Sequence, residues 1–195
     1  FFYVQAGGAV IDSSSNSVMT QLPLLTGAAG DGGLTKRGTG LLTLANTNTY
    51  VGPTRVEAGT LRLAYANVIP SSGSLLVSSN AVFDLGGKAQ TFATLGGGGA
   101  VTNCALLAVT AGVVPGGTNA IGQLTLSSAP ASLAGSLLID VAAGGACDCL
   151  RAQGNLDLSG LALVLANPES LDRHAQYVIA SYAGALTAPL ASAAL

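Results

Sequence analysis

Gly40-Leu41-Leu42-Thr43-Leu44 returns as Gly59-Thr60-Leu61-Arg62-Leu63, and this phrase decides the fold. A glycine is followed by aliphatic residues at the second and fourth positions after it. Four more copies read Gly73-Ser74-Leu75-Leu76-Val77, Gly122-Gln123-Leu124-Thr125-Leu126, Gly135-Ser136-Leu137-Leu138-Ile139 and Gly154-Asn155-Leu156-Asp157-Leu158. The glycines are separated by 19, 14, 49, 13 and 19 residues. Such intervals are too short for a helical-hairpin repeat and suit one turn of a coiled β-sheet. The 49-residue gap then holds two or three irregular turns.

Aliphatic residues two apart share one face of a strand. Thr43, Arg62, Thr125, Leu138, Asp140 and Asp157 are therefore predicted to point outward. Leu41, Leu76 and Leu138 are outward leucines, which a solenoid covers with a loop or another chain. A single turn cannot bury its aliphatic pair. Stacked parallel turns can, and each backbone N–H and C=O pairs with the next turn. The phrase's glycine supplies a corner open to positive φ, and asparagines serve the other corners.

Composition supports this reading. Charged residues make up 8% of the 195, against roughly 25% in an average soluble domain. Hydrophobic residues reach 49% while aromatics stay at 5%, and there are 27 glycines. Disorder carries more charge and fewer aliphatics. The net charge is −2 and Lys36-Arg37 is the only adjacent basic pair, so no nucleic-acid partner is expected. The longest near-apolar run, Cys104 to Pro115, falls short of the 18 or so residues that span a membrane, so no membrane insertion is expected. The chain opens on Phe1-Phe2 with no leader pattern, which reads as a processed segment whose targeting sequence lies upstream.

Along the chain, residues 1–30 read as N-terminal turns or a cap, and 122–165 as regular turns that resume and tighten. Residues 166–195 read as a C-terminal cap or assembly segment. Gly96 to Gly99 reads as a turn, not a phosphate loop, because no Gly-Lys-Ser/Thr follows it. Asn167 to Asp172 reads as a turn and Tyr177 to Tyr182 as an alternating strand. The whole, 1–195, is a single all-β solenoid with turns of irregular length.

The stretch Gly32-Gly-Leu-Thr-Lys-Arg-Gly-Thr-Gly-Leu-Leu-Thr-Leu44, followed through Asn48-Thr-Tyr50 and Val51-Gly-Pro-Thr-Arg-Val-Glu-Ala-Gly-Thr-Leu-Arg-Leu63, resembles the autotransporter-associated β-strand repeat. The resemblance covers residues 32–63, with Pro53 standing where that family has Gly or Thr. It implies a right-handed parallel β-helix, extracellular and on a bacterial surface, that serves as scaffold and carries no catalytic residues.

Residues with chemistry are few. Asp140 and Asp157 lie on repeated strands at different offsets from their glycines, so they do not stack as a carbohydrate-cleaving pair. His174 follows Asp172 and Arg173, yet no Gly-x-Ser-x-Gly elbow exists, and a turn-capping histidine is expected. Cys104, Cys147 and Cys149 are three cysteines, open to a disulfide or to inert burial. Their spacing with His174 matches no short zinc motif, and Asp31 alone in a glycine corner makes no calcium series. No catalytic residue, metal or cofactor is expected, and no Asn-x-Ser/Thr sequon occurs.

What remains is shape. Phe1-Phe2-Tyr3 opens the chain and Leu190 to Leu195 closes it, both apolar, and packed termini are expected on the chain itself or on a neighbour. The favoured reading is a non-enzymatic structural protein whose copies associate head to tail into a surface fibre or layer. Phe1, Phe2, Tyr3, Leu190 and Leu195 are its candidate end contacts, and Leu76 and Leu138 its lateral ones. The alternative is a passenger stalk displaying an adhesive domain. A third is a module that binds or cleaves polysaccharide, including cell-surface or host glycan.

Overall fold

A computed structural model describes residues 1–127 and 131–194. The chain is a parallel β-solenoid of about seven turns with three faces. Its strands, in order, are β1 (Phe2–Val4), β2 (Ala9–Asp12), β3 (Ser17–Thr20), β4 (Leu24–Thr26), β5 (Leu34–Arg37), β6 (Leu41–Leu44), β7 (Thr54–Val56) and β8 (Thr60–Leu63). Then follow β9 (Ser74–Val77), β10 (Val82–Gly97), β11 (Ala100–Pro115), β12 (Gln123–Leu126), β13 (Ala131–Leu133) and β14 (Gly135–Ile139). The last are β15 (Cys149–Ala152), β16 (Leu156–Asp157), β17 (Leu161–Leu165), β18 (Ala180–Tyr182), β19 (Leu186–Ala188) and β20 (Ser192–Ala194).

The first face stacks β2, β5, β7, β9, the end of β10, the end of β11, β14, β17 and β20, all parallel. The second stacks β3, β6, β8, the starts of β10 and β11, β12, β15 and β18. The third holds β1, β4, the middles of β10 and β11, β13, β16 and β19. Strands β10 and β11, 16 residues each, run unbroken around two corners and fill the 49-residue gap between phrases.

All six phrases form strands, but they do not mark one corner. Gly40, Gly59 and Gly122 lead into the second face, Gly73 and Gly135 into the first, and Gly154 into the third. The true turn is set by pairing: Leu34 faces Thr54, Thr54 faces Leu75, and Thr94 faces Ser74, close to 20 residues per turn. The intervals of 14 and 13 are steps between faces, not turns. From Gly122 onward the turns lengthen instead of tightening: Leu137 faces Leu163, and Leu163 faces Ala193. The extra length lies partly in two short 3₁₀ turns, Ala143–Gly145 and Pro168–Ser170.

The phrase glycines also differ in their reason. Gly59 and Gly135 take positive φ, 64° and 97°. Gly40 does not. A Cβ there would run into the Asn16 carbonyl of the turn below, so close stacking excludes a side chain.

Inside runs one apolar column. Leu34, Leu42, Leu61, Leu75, Phe83, Leu95, Val101, Val113, Leu124, Leu137, Leu150 and Leu161 are fully buried. Phe83 and Phe92 meet edge to face at 5.6 Å within it. Two residues expected outside are buried. Thr43 is flanked in register by Met19 and Arg62, which cover it. Asp140 lies beyond the end of β14, where the chain folds back into a bridge between Val141 and Cys147.

Candidate binding and display surfaces

The corner between β5 and β6 is built by Lys36, which the strand's alternation turns inward. Its ammonium is fully buried and donates to the carbonyls of Arg37 at 2.7 Å, Gly38 at 2.7 Å and Ala58 at 3.1 Å. Burial pushes its pKa down, and the charge of Asp12 partly offsets this. Ala58 belongs to the next turn, so one side chain ties two turns together. At the opposite corner the Asp31 carboxylate accepts from the amides of Gly33, Val51 and Gly52 at 2.9–3.1 Å. Burial raises its pKa, but the Gly52 and Val51 amides, with Thr26 and Gly33, more than offset this and hold it below the usual range. Tyr50, buried, shares a 2.6 Å hydrogen bond with Thr54, and burial drives its pKa up. Pro53 sits in this corner, and its carbonyl accepts from Leu34 N–H of the turn below.

Farther along, β10 bulges. Its pairing with β11 shifts between Asp84, opposite Thr102, and Lys88, opposite Cys104. Four steps on one strand match two on the other, and Gly86-Gly87 are pushed outward with φ of 59° and 75°. The bulge opens a cleft of about 540 Å³ lined by Arg62, Asp84, Lys88 and Asn103. Asp84 is 3% exposed and accepts from Arg62 Nε at 2.7 Å, Gly86 N–H at 2.8 Å and Asn103 Nδ2 at 2.9 Å. Burial raises its pKa, and Asn103, Gly86 and Arg62 together bring it below the usual carboxylate range.

The expected assembly residues fall in three places. Phe1, Phe2 and Tyr3 are 79%, 57% and 61% exposed, so they are not packed on their own chain. Only Val4 of β1 turns into the core, because one turn lies on just one side of it. With Val10, Met19 and Leu22 they make the first turn's surface apolar. Leu76 and Leu138 are half-buried on the outside of the first face, Leu138 beside Val164. Leu190 packs against the core, and Leu195 lies outside the described residues.

Cys147 and Cys149 are free thiols, and Cys104 Sγ lies 3.9 Å from the Thr102 carbonyl oxygen. Between the first two, Asp148 is buried and accepts from the Gly122 amide at 2.8 Å and the Asp140 amide at 2.9 Å. Burial, with the charge of Asp140 adding to it, leaves Asp148 above the usual range despite those bonds. Burial likewise pushes the Cys147 thiol up. His174 is exposed, and its backbone amide donates to the Asp172 carboxylate at 2.9 Å in a local turn. Asp157 holds a similar turn through Ser159. None of these groups converges with another cluster.

Neither Asp84 nor Lys88 nor Asn103 stands out in the sequence. The available signal was Gly86-Gly87 inside a strand pattern, which marks a bulge.

The passenger-associated-transport-repeat model matches residues 34–63. Those residues carry the Lys36 clamp, the buried Tyr50 and β8, whose Arg62 lines the cleft. The chain is 38% identical over 120 residues to the adhesin BmaC autotransporter of Brucella suis biovar 1 (strain 1330). The match covers 60% of this chain and 4% of that relative, so the chain spans a small part of the relative's length. No solved structure matches. The chain carries an autotransporter passenger repeat, and the repeat and the relative indicate a protein displayed outside the cell, on its surface. Among the described residues no helix is long and apolar enough to cross a membrane.

Proposed function

We propose that this chain is part of a non-catalytic stalk that holds an adhesive surface away from a bacterial cell. One observation carries the reading: the passenger repeat at 34–63 is continuous, turn upon turn, with the rest of a single solenoid. A stack held by parallel backbone pairing is stiff along its axis and presents three long outer faces. The similarity to an adhesin supports a display stalk better than a fibre subunit.

The apolar first turn supports a second reading, in which copies stack end to end through Phe1, Phe2 and Tyr3. A preceding turn of the same polypeptide would bury the same surface equally well. Sedimentation and small-angle X-ray scattering of the purified chain separate the two. The stalk reading expects a monomer of 19.0 kDa. Its rod would be roughly 38 Å long, from the strands stacked on the first face at the spacing of parallel sheets. Growth into filaments with concentration, abolished by Phe2→Ser and Tyr3→Ser together, would establish the fibre instead.

A further inference from the structure

We propose that the cleft at the β10 bulge binds an anionic sugar through Arg62 and Lys88. This deepens the adhesive reading above and rests on it. Asp84, the carboxylate lining the cleft, is spent inward on three donors. It grips Arg62 by Nε and so fixes the guanidinium, whose terminal N–H groups have no protein partner among the described residues. Lys88 lines the same cleft, and its ammonium has no hydrogen bond or ion pair among the described residues. The chain has only seven basic residues and a net charge of −2. Two of them line one cleft, and with Asp84 offsetting one charge they leave a net positive site on an acidic protein. A held guanidinium with free N–H groups matches the paired oxygens of a carboxylate or sulfate.

The cleft's setting favours sugar over peptide. It lies where the pairing of β10 with β8 ends at Asp84 and its pairing with β11 skips to Lys88. The short unpaired stretch between them is pushed out as a glycine bulge and offers no regular strand edge for a peptide to extend. Among the described residues no aromatic side chain lines the cleft, which offers no socket for an aromatic peptide anchor. Its volume of about 540 Å³ exceeds what one carboxylate needs and leaves room for the ring that bears it.

The test is calorimetric titration of the 195-residue chain with four probes. These are a hyaluronan tetrasaccharide bearing carboxylates, a heparin-derived tetrasaccharide bearing sulfates, neutral chitotetraose and poly-glutamate. Binding of an acidic sugar alone is expected, weakened by salt, and the better of the two names the anion. Lys88→Gln removes one charge, and Gly87→Asn places a side chain in open space while tolerating positive φ. Each should weaken binding by about tenfold, Lys88→Gln with an unchanged melting temperature and Gly87→Asn with a small fall from the strain of its positive φ. Failure of both acidic sugars, equal binding of chitotetraose or poly-glutamate, or wild-type affinity in both variants overturns the proposal. Beads coated with wild type or Lys88→Gln and applied to cultured mammalian cells keep the two readings apart. Equal adherence overturns the cleft but not the adhesive stalk. No adherence by either, with sugar binding intact, supports the cleft and overturns adhesion through this chain's own surface.

Discussion

Lys36 shows how a single residue holds two turns. Its ammonium is the partner of three carbonyls, one of them on the next turn. Lys36→Met fills the space but leaves those oxygens without a donor. The variant should lose about 3 kcal/mol in chemical denaturation. Acid titration separates two buried carboxylates of opposite sign. The folded pKa of Asp31 lies below its unfolded value, so its contribution is present above about pH 4 and is lost as pH falls through the folded value. The cost of Asp31→Ala should therefore be largest at pH 7 and shrink at pH 3. Asp148 is the reverse. Its folded pKa is raised, so its contribution is full below about pH 4 and is lost as pH rises through the folded value. Melting curves of Asp148→Asn should then compare worse with wild type at pH 3 than at pH 7. The sequence shows Lys36, Asp31 and Tyr50 only as letters of a repeat. Alternation with Leu34 turns Lys36 inward, but the carbonyl of Ala58 and the amides of Val51 and Gly52 that satisfy Lys36 and Asp31 come from the next turn, which one strand's pattern does not encode.

At the scale of the element, the Gly-x-Leu-x-Leu phrase made every repeated strand readable, since its period of two is local. Which face each strand joins was not readable. That depends on how many residues the preceding corner takes up, and Gly73 and Gly135 look like Gly40 on paper. The long strands β10 and β11 escaped for a related reason: they turn corners without the phrase's glycine. The cleft depends on one such strand, and its residues are distant in sequence until the bulge joins them. The glycines themselves give a contrast to measure. Gly135 has φ of 97°, and a Cβ there collides with the Ala111 carbonyl. Gly73 has no positive φ, and its nearest neighbour would be the Pro70 oxygen at 3.2 Å. Gly135→Ala should cost about 3 kcal/mol or more, from strain and overpacking together. Gly73→Ala should cost about 1 kcal/mol or less. Equal costs would mean that the phrase glycine serves one purpose after all.

For the whole molecule, a solenoid has no single centre, and each turn is stabilised by its two neighbours. Burial is accordingly graded along the axis. The inward residues of β2 and β3, Ala9, Ile11 and Val18, are only half-buried. Those of β8 through β11, such as Leu61, Leu75, Phe83, Leu95 and Leu107, are fully buried. In β18 and β19 no side chain is buried. Opening an outer turn exposes little apolar surface and breaks pairing on one side, whereas opening a central turn breaks it on both. Hydrogen exchange followed by mass spectrometry should therefore show protection rising inward from each end of the isolated chain. Backbone amides of β9, β10 and β11 should exchange slowest, and those of β1 to β3 and β18 to β20 fastest. Leu75→Ala, at the centre, should cost about 2–5 kcal/mol and lower protection across adjacent turns. Val18→Ala, at the edge, should be felt mainly in β3 and β6, with which it pairs. Uniform protection, or a central substitution felt equally at both ends, would mean that the stack unfolds as one unit and not turn by turn.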